Sequence, residues 1–213
     1  KEKADNQLVE ALKRLEALDK KYVTSKFKCT GCEACKNICP HGAIQMIESE
    51  EGFLYPHIDK EKCTECNLCR KICPANKVYK NEYETPAFYA VKSLTETDRK
   101  NSSSGGVVCA IAKEIIKGNG AVYGVSLEKK EAKHVRISKV EDLYKIMGSK
   151  YVQSKIDDIL KEVKKDLEEK KKVLFTGTPC QIEGLQSYLG KTYENLICLS
   201  IICHGVPSPK VWK

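Results

Sequence analysis

The sequence lacks any apolar run near the roughly 18 residues that a membrane-spanning helix needs, and we expect no secretory leader. Aromatic residues make up only 7% of the chain, but the hydrophobic share of 41% is ordinary for a folded protein. Its 213 residues suit one or two domains with a sizeable core. We therefore expect a folded chain with no membrane span.

The chain also lacks a motif that mixes aromatic and basic residues, although its formal net charge is +8. Basic runs such as 170–172 alternate with the acidic residues of 158–169, a pattern typical of a solvated helix face. Because charge alone is weak evidence for nucleic-acid binding, we expect no nucleic-acid partner.

Neither end of the chain reads as a natural terminus. The first residue is Lys1 rather than Met, and the last six residues begin a helix that Pro209 would open. We expect the start to be trimmed and the C-terminal domain to be truncated.

Cysteine is abundant instead, with twelve in the chain, and eight of them form two copies of one pattern. The copies are Cys29-x2-Cys32-x2-Cys35-x3-Cys39-Pro40 and Cys63-x2-Cys66-x2-Cys69-x3-Cys73-Pro74. A secreted disulfide scaffold needs no such repeat, and structural zinc commonly uses two separated cysteine pairs. The spacing is that of bacterial ferredoxins, which hold two four-iron, four-sulfur clusters.

In that pattern three close cysteines curl around one cluster, and the fourth points to the other cluster. Cluster one is therefore predicted to bind Cys29, Cys32, Cys35 and Cys73, and cluster two to bind Cys63, Cys66, Cys69 and Cys39. Between the copies, 43–47 and 53–58 read as a hairpin of short strands that shields the clusters. We assign residues 25–80 to a bacterial-type 2[4Fe-4S] ferredoxin-like domain.

Residues 1–24 read as an N-terminal amphipathic helix, because its leucines recur at helical spacing on one stripe (Leu8, Leu12, Leu15 and Leu18). Such a stripe packs on its own domain more often than on a partner.

After a polar linker at 77–85, residues 86–213 alternate strands and helices, which predicts an α/β domain with a mixed sheet. The predicted strands are 88–94, 121–127, 173–176 and 196–203. The predicted helices are 105–117, 140–147, 154–171 and 179–189. The chain as a whole is thus predicted to be α+β.

Three loops of this domain could carry chemistry. Ser102–Gly106 leads into a helix, and it reads either as a ligand loop that favours phosphate or as an ordinary serine N-cap. The turn Thr176–Gln181 joins a strand to a helix, where cofactors often lie, and it contains Thr178 and Cys180. The third loop, Cys203–Pro207, follows another strand.

For Cys180 and Cys203 three roles stay open: an extra metal or cluster ligand, a redox thiol near a cofactor, or packing. We favour proximity to a cofactor. Cys109 and Cys198 lie among apolar residues and read as core. The histidines His41, His57 and His134 have no partner pattern and read as surface residues.

Four stretches in order carry a family resemblance: Asn101–Val108, Gly148–Ser154, Phe175–Ile182 and Ile202–Pro209. With the ferredoxin-like domain ahead of them, they resemble the coenzyme F420 hydrogenase/dehydrogenase beta-subunit family over about residues 25–213. Members are iron–sulfur flavoproteins that pass electrons between a deazaflavin coenzyme, a flavin (usually FAD) and iron–sulfur centres. The resemblance implies that Ser103, Ser104, Gly105 and Gly106 hold flavin or deazaflavin, with Lys150 and Tyr151 nearby.

The resemblance implies an oxidoreductase that links a hydride donor, F420 or similar, to one-electron carriers through flavin and two clusters. The alternative is a non-catalytic electron-transfer subunit docked on a separate redox enzyme. Cysteine-rich chains without a leader point to a reducing cytoplasm, here that of an anaerobe. The partner is a redox protein or a hydride-donating coenzyme, whose identity the sequence leaves open.

Overall fold

The computed structural model describes residues 23–77 and 86–212. The predicted helix over 1–24 lies almost wholly outside the described residues, as does most of the linker, and the predicted domain limits remain predictions. No helix in the described ranges combines the length and apolar character that crossing a membrane requires.

The cysteine-rich part, residues 23–77, contains two five-residue helices and one hairpin. The elements are α1 (Ala34–Ile38), β1 (Ile44–Glu48), β2 (Leu54–Ile58) and α2 (Leu68–Ile72), with a 3-10 turn over Pro74–Asn76. Strands β1 and β2 pair in antiparallel register, with Ile44 opposite Ile58. The hairpin predicted between the two motifs is therefore confirmed.

The second part, residues 86–212, is built on a four-stranded sheet. Its elements are α3 (Glu96–Lys100), α4 (Val107–Lys117), β3 (Ala121–Glu128), β4 (Glu131–Ile137), α5 (Ile159–Glu168), β5 (Val173–Gly177), α6 (Pro179–Leu189), β6 (Leu196–Ser200) and α7 (Pro209–Trp212), with a 3-10 helix over Val140–Ile146. The strand order is β4-β3-β5-β6. Strand β3 pairs antiparallel with β4 and parallel with β5, and β5 pairs parallel with β6. The predicted mixed sheet is confirmed.

Alternating residues along the strands send side chains into two cores, because successive side chains of a strand point to opposite faces. One face carries Tyr123 and Phe175 against the apolar stripes of α5 and α6. The other face carries Val122 and Leu174 against α4. Helices therefore cover both faces of the central strands.

The first of these cores also contains a residue of the cysteine-rich part. Ala34, in the first cysteine motif, is fully buried among side chains of α5, α6 and the sheet. The two parts of the chain are thus packed together through the first motif.

Several expectations on secondary structure were wrong. Residues 88–94 form no strand: Phe88 and Tyr89 are exposed, and Ser93 donates its one main-chain hydrogen bond to Gly105 rather than to a strand. The predicted helix over 154–171 is shorter, because Lys155 pairs with Ala132 and His134 before α5 begins at Ile159. Strand β4 was missed, and β6 ends at Ser200 instead of residue 203.

The prediction that His134 lies at the surface was also wrong. Its ring is buried and stacks on Phe175, with centroids 5.3 Å apart, and one ring nitrogen lies 3.3 Å from the carbonyl oxygen of Thr176. Burial lowers the pKa of His134 to about 4. Cys109 is buried as predicted, and Cys198 is half-buried against the core.

Candidate functional site

Each cysteine motif folds into a tight loop followed by a short helix. In the first copy, Gly31 and Glu33 have the left-handed φ values of 68° and 57°. In the second copy, the equivalent Glu65 and Asn67 have φ values of 53° and 60°. The two copies thus share one backbone path, in which alternating left-handed residues turn three closely spaced thiols toward one side.

The fourth cysteine of each motif comes directly after the short helix. Cys39 follows α1, and Cys73 follows α2, each with extended backbone and each ahead of a proline. Extended backbone carries these two cysteines away from their own loops, so each lies beside the other motif.

Two cavities result, and each is lined by four cysteines. The thiols lining the first are Cys29, Cys32, Cys35 and Cys73, which we call the first cage. The thiols lining the second are Cys39, Cys63, Cys66 and Cys69, which we call the second cage. Each cavity therefore brings together three cysteines of one motif and one of the other.

The chemistry of the cages fits an iron–sulfur cluster. Each cage offers four soft sulfur donors in an apolar surrounding, the donor set that iron in a cluster takes. Within 23–77 and 86–212, no three or more histidine, cysteine or acidic side chains lie close enough together to hold a single metal ion.

Burial makes the first cage resist ionisation in the absence of metal. Removal from water, with smaller contributions from neighbouring thiols, raises the pKa of Cys32 to about 11 and that of Cys35 well above its usual value. Burial also raises the pKa of Cys29 and of Cys69. A bound metal centre would supply the positive charge that lets such thiols bind as thiolates.

The two cages differ in what covers them. In the first, Cys35 and Cys73 are buried, and Cys32 lies against helix α6. A Cβ added to Gly184 of α6 would stand 2.9 Å from Cys32 Cβ and 3.0 Å from its Sγ. In the second cage, Cys66 is exposed. The first cage therefore faces the α/β part, and the second faces solvent.

The Ser102–Gly106 loop precedes α4. Of the two interpretations of this loop, the ordinary serine N-cap is wrong. The N-cap residue is Gly106, with φ 76° and no side-chain cap. The main-chain amides in the first turn of α4 therefore have no acceptor on the N-cap side chain. Helix starts with such free amides are suited to binding anions. Ser103 and Ser104 are exposed beside this helix start.

The two glycines of that loop also have a role in packing. A Cβ on Gly105 would stand 2.8 Å from the carbonyl oxygen of Val91, and one on Gly106 would meet the backbone of Asp98 at 3.2 Å. Close approach of a ligand is therefore not the only reason for small residues here.

The structure brings a second predicted loop to the same place. Ser149 donates its main-chain N–H to Ser103 Oγ at 2.7 Å, which joins the loop around Lys150 and Tyr151 to the serine loop. Lys150 Nζ donates to the carbonyls of Met147 and Gly148, and burial lowers its pKa. Tyr151 is exposed.

Thr178 and Cys180 lie at the start of α6, near the first cage. Thr178 forms a capping box with Gln181, and its hydroxyl lies 3.1 Å from Cys180 Sγ. Cys180 is close enough to Cys32 to contribute to the raised pKa of that thiol. Cys203 is exposed, and its sulfur accepts the N–H of Gly205. Neither cysteine belongs to the three apolar cores of the described residues, and their hydrogen bonds lie within their own turns.

Sequence reasoning missed the contacts that join the two parts. Gln153 accepts the N–H of Leu54 through its side chain and passes over Gly31, where an added Cβ would meet the end of that side chain. Lys77 donates to Ser187, and Lys210 to the carbonyl of Glu50. A comparison of the two motif copies would have given one signal. The first copy has Glu33 and Ala34 where the second copy has Asn67 and Leu68.

Comparison with known families gives two matches. Residues 28–77 match the 4Fe-4S dicluster domain, and residues 170–213 match the C terminus of the coenzyme F420 hydrogenase/dehydrogenase beta subunit. Among curated proteins none matches the chain. The predicted resemblance and the α+β class with a ferredoxin-like part are confirmed, and the matches support iron–sulfur electron transfer.

Proposed function

We propose that this chain, similar to F420 hydrogenase/dehydrogenase beta subunits, is an iron–sulfur flavoprotein oxidoreductase that links a hydride donor to one-electron carriers. The first cage would hold one [4Fe-4S] cluster and the second cage another. The observation that carries the proposal is the crossed cavity lining, in which Cys73 joins the first motif and Cys39 the second.

Bound clusters would accept and release one electron at a time, whereas a flavin such as FAD exchanges both single electrons and hydride. The task of the chain is then to hold these groups in order. Its apolar cavity walls would exclude water, and its cysteines would bind the iron as thiolates.

For the flavin or deazaflavin F420 we propose the joined loops beside α4. Ser103, Ser104, Gly105 and Gly106 would face the ligand, with Lys150 and Tyr151 beside them. Support comes from the hydrogen bond between Ser149 and Ser103 and from the helix start that lacks a side-chain cap. Thr178 and Cys180 follow strand β5, and Cys203 follows strand β6. We propose that these three residues lie at the edge of the sheet that is nearest to the cofactor.

Electrons would pass between the α/β part and the first cage, then to the second cage, and from there to a redox partner protein. The covered Cys32 and the exposed Cys66 support this order, because a protein partner reaches exposed ligands and not buried ones. We propose the reducing cytoplasm of an anaerobe as the compartment, because exposed clusters and twelve cysteines require a reducing environment.

The test is anaerobic purification with assays of iron, sulfide and flavin. Two complete ligand sets predict about eight irons and eight sulfides per chain. The proposed flavoprotein function predicts one flavin in addition. Stoichiometric zinc without brown colour would overturn the cluster assignment. Full iron without flavin, at any flavin concentration added, would instead favour the non-catalytic subunit docked on a separate enzyme.

A further inference from the structure

A buried carboxylate lies inside the first cysteine loop, between Cys32 and Cys35. Glu33 is only 2% exposed. Burying a carboxylate is costly unless hydrogen bonds compensate, so a glutamate at this place requires specific partners.

Those partners are main-chain groups of the α/β part. Glu33 Oε1 accepts the N–H of Ile156 at 2.8 Å, and Oε2 accepts the N–H of Asp157 at 3.1 Å. Both amides belong to the turn just before α5, where Asp157 has a left-handed φ of 51°. The carboxylate thus occupies a small site for an anion made of two adjacent amides.

Neighbouring side chains of α1 complete this contact. Lys36 Nζ pairs with Glu33 Oε2 at 3.2 Å and with Asp157 Oδ1 at 3.0 Å. Asn37 Nδ2 donates to the carbonyl oxygen of Asp157 at 2.8 Å. Three residues of the first motif therefore bind one turn of the α/β part.

The second motif shows that the cysteine loop itself does not require a glutamate. Asn67 holds the equivalent position with nearly the same φ, 60° against 57°, and it is exposed. Asparagine adopts left-handed backbone more readily than glutamate does. Glu33 is therefore explained by its contact with Ile156 and Asp157 rather than by the local backbone.

We propose that Glu33 is a positioning residue: through its bonds to the Ile156 and Asp157 amides, it holds the first cage against the α/β part so that electrons can pass between them. This inference rests on the proposed function for its electron-transfer step. The hydrogen bonds that carry it stand independently of any flavin.

The first experiment is site-resolved hydrogen exchange on the anaerobically reconstituted full chain. Glu33→Ala should speed exchange at Ile156 and Asp157 by about 10-fold or more, since hydrogen bonds to a charged acceptor are strong. Glu33→Gln keeps one acceptor oxygen and should leave one of the two amides protected. Asn67→Ala, which places alanine on the same left-handed backbone in the second motif, should leave both amides slow.

The second measurement is the midpoint potential of each cluster, followed by electron paramagnetic resonance. Losing a buried negative charge should raise the potential of one cluster in Glu33→Ala and in Glu33→Gln, and of neither cluster in Asn67→Ala. Flavin-to-cluster transfer should slow in Glu33→Ala and recover partly in Glu33→Gln. If Glu33→Ala does not retain iron, Glu33→Gln carries both measurements.

Unchanged exchange at both amides in Glu33→Ala and Glu33→Gln would overturn the contact. Faster exchange with unchanged potentials and unchanged transfer would show that the contact only stabilises the fold, which also overturns the proposal. If the purified protein binds no flavin, the proposed function fails, but exchange and potentials still test Glu33.

Discussion

The two cysteine motifs have the same spacing and the same backbone path, yet they lie in different surroundings. The first is covered by α6 and by the turn before α5, whereas the second has an exposed cysteine, Cys66. Ala34 is 0% exposed and its equivalent Leu68 is 39% exposed. One ligand pattern therefore serves two environments, and the residues between the ligands decide which environment each copy has.

This difference shows that, within one short motif, the cysteines supply the thiols of the cage, and the residues between them determine what the motif contacts. The cysteines define the cages, while Gly31, Glu33 and Ala34 fit the first copy to the α/β part. The second copy, with Glu65, Asn67 and Leu68 at those positions, leaves its face open.

The largest expected effect comes from breaking the crossed ligand sets. Cys39→Ser should remove the cluster of the second motif, and Cys73→Ser that of the first, each with loss of about half of the iron. Iron assay with electron paramagnetic resonance of the remaining cluster measures this. Cys109→Ser, a change of a buried thiol outside the cages, should keep all the iron. Loss of the cluster of its own motif in Cys39→Ser would contradict the crossing.

Gly184→Ala should disturb the first copy alone. An alanine within a helix usually stabilises it by about 1 kcal/mol relative to glycine, but here the new methyl would overlap Cys32 at 2.9 Å. We expect a net loss of about 1–3 kcal/mol of unfolding free energy, as for other overpacked cores. Denaturant unfolding of the anaerobic protein measures it, with the exposed Glu183→Ala as control. A stabilised Gly184→Ala variant would refute the close contact.

Exchanging the residues Ala34 and Leu68 tests the same contrast at matched positions. Ala34→Leu inserts a large side chain into a filled core and should cost about 1–3 kcal/mol of unfolding free energy. Leu68→Ala removes a side chain that is 39% exposed at the second cage, and it should cost less unfolding free energy than Ala34→Leu does. Equal costs in the two variants would show that both copies are buried alike.

The smallest expected effect concerns air. In a brief exposure to oxygen, the cluster of the second cage should lose its signal first, because Cys66 is exposed while Cys35 and Cys73 are buried. Leu68→Ala should widen that difference by opening the second cage further. Simultaneous bleaching of both clusters, in the parent and in the variant, would argue against unequal shielding.

Much of the fold could be predicted because local patterns determine it. The helix α6 begins at Pro179 and ends at Leu189 as predicted, since proline opens it and Gly190 ends it in left-handed backbone. Strand β4 was missed because its sequence, Glu131–Ile137, mixes charged and apolar residues. The false strand at 88–94 has the right composition but no neighbouring strand among the described residues.

The sequence alone was enough to predict the two cysteine motifs, because three thiols at short fixed spacings and a proline after the fourth are local features. Only the tertiary structure decided which cage is covered, because that depends on contacts between residues far apart in the chain. Glu33 meets Ile156 across 123 positions, and Gly184 meets Cys32 through helix packing. No spacing rule predicts such contacts, because the role of a buried carboxylate or of a missing Cβ depends on the distant residues that it contacts.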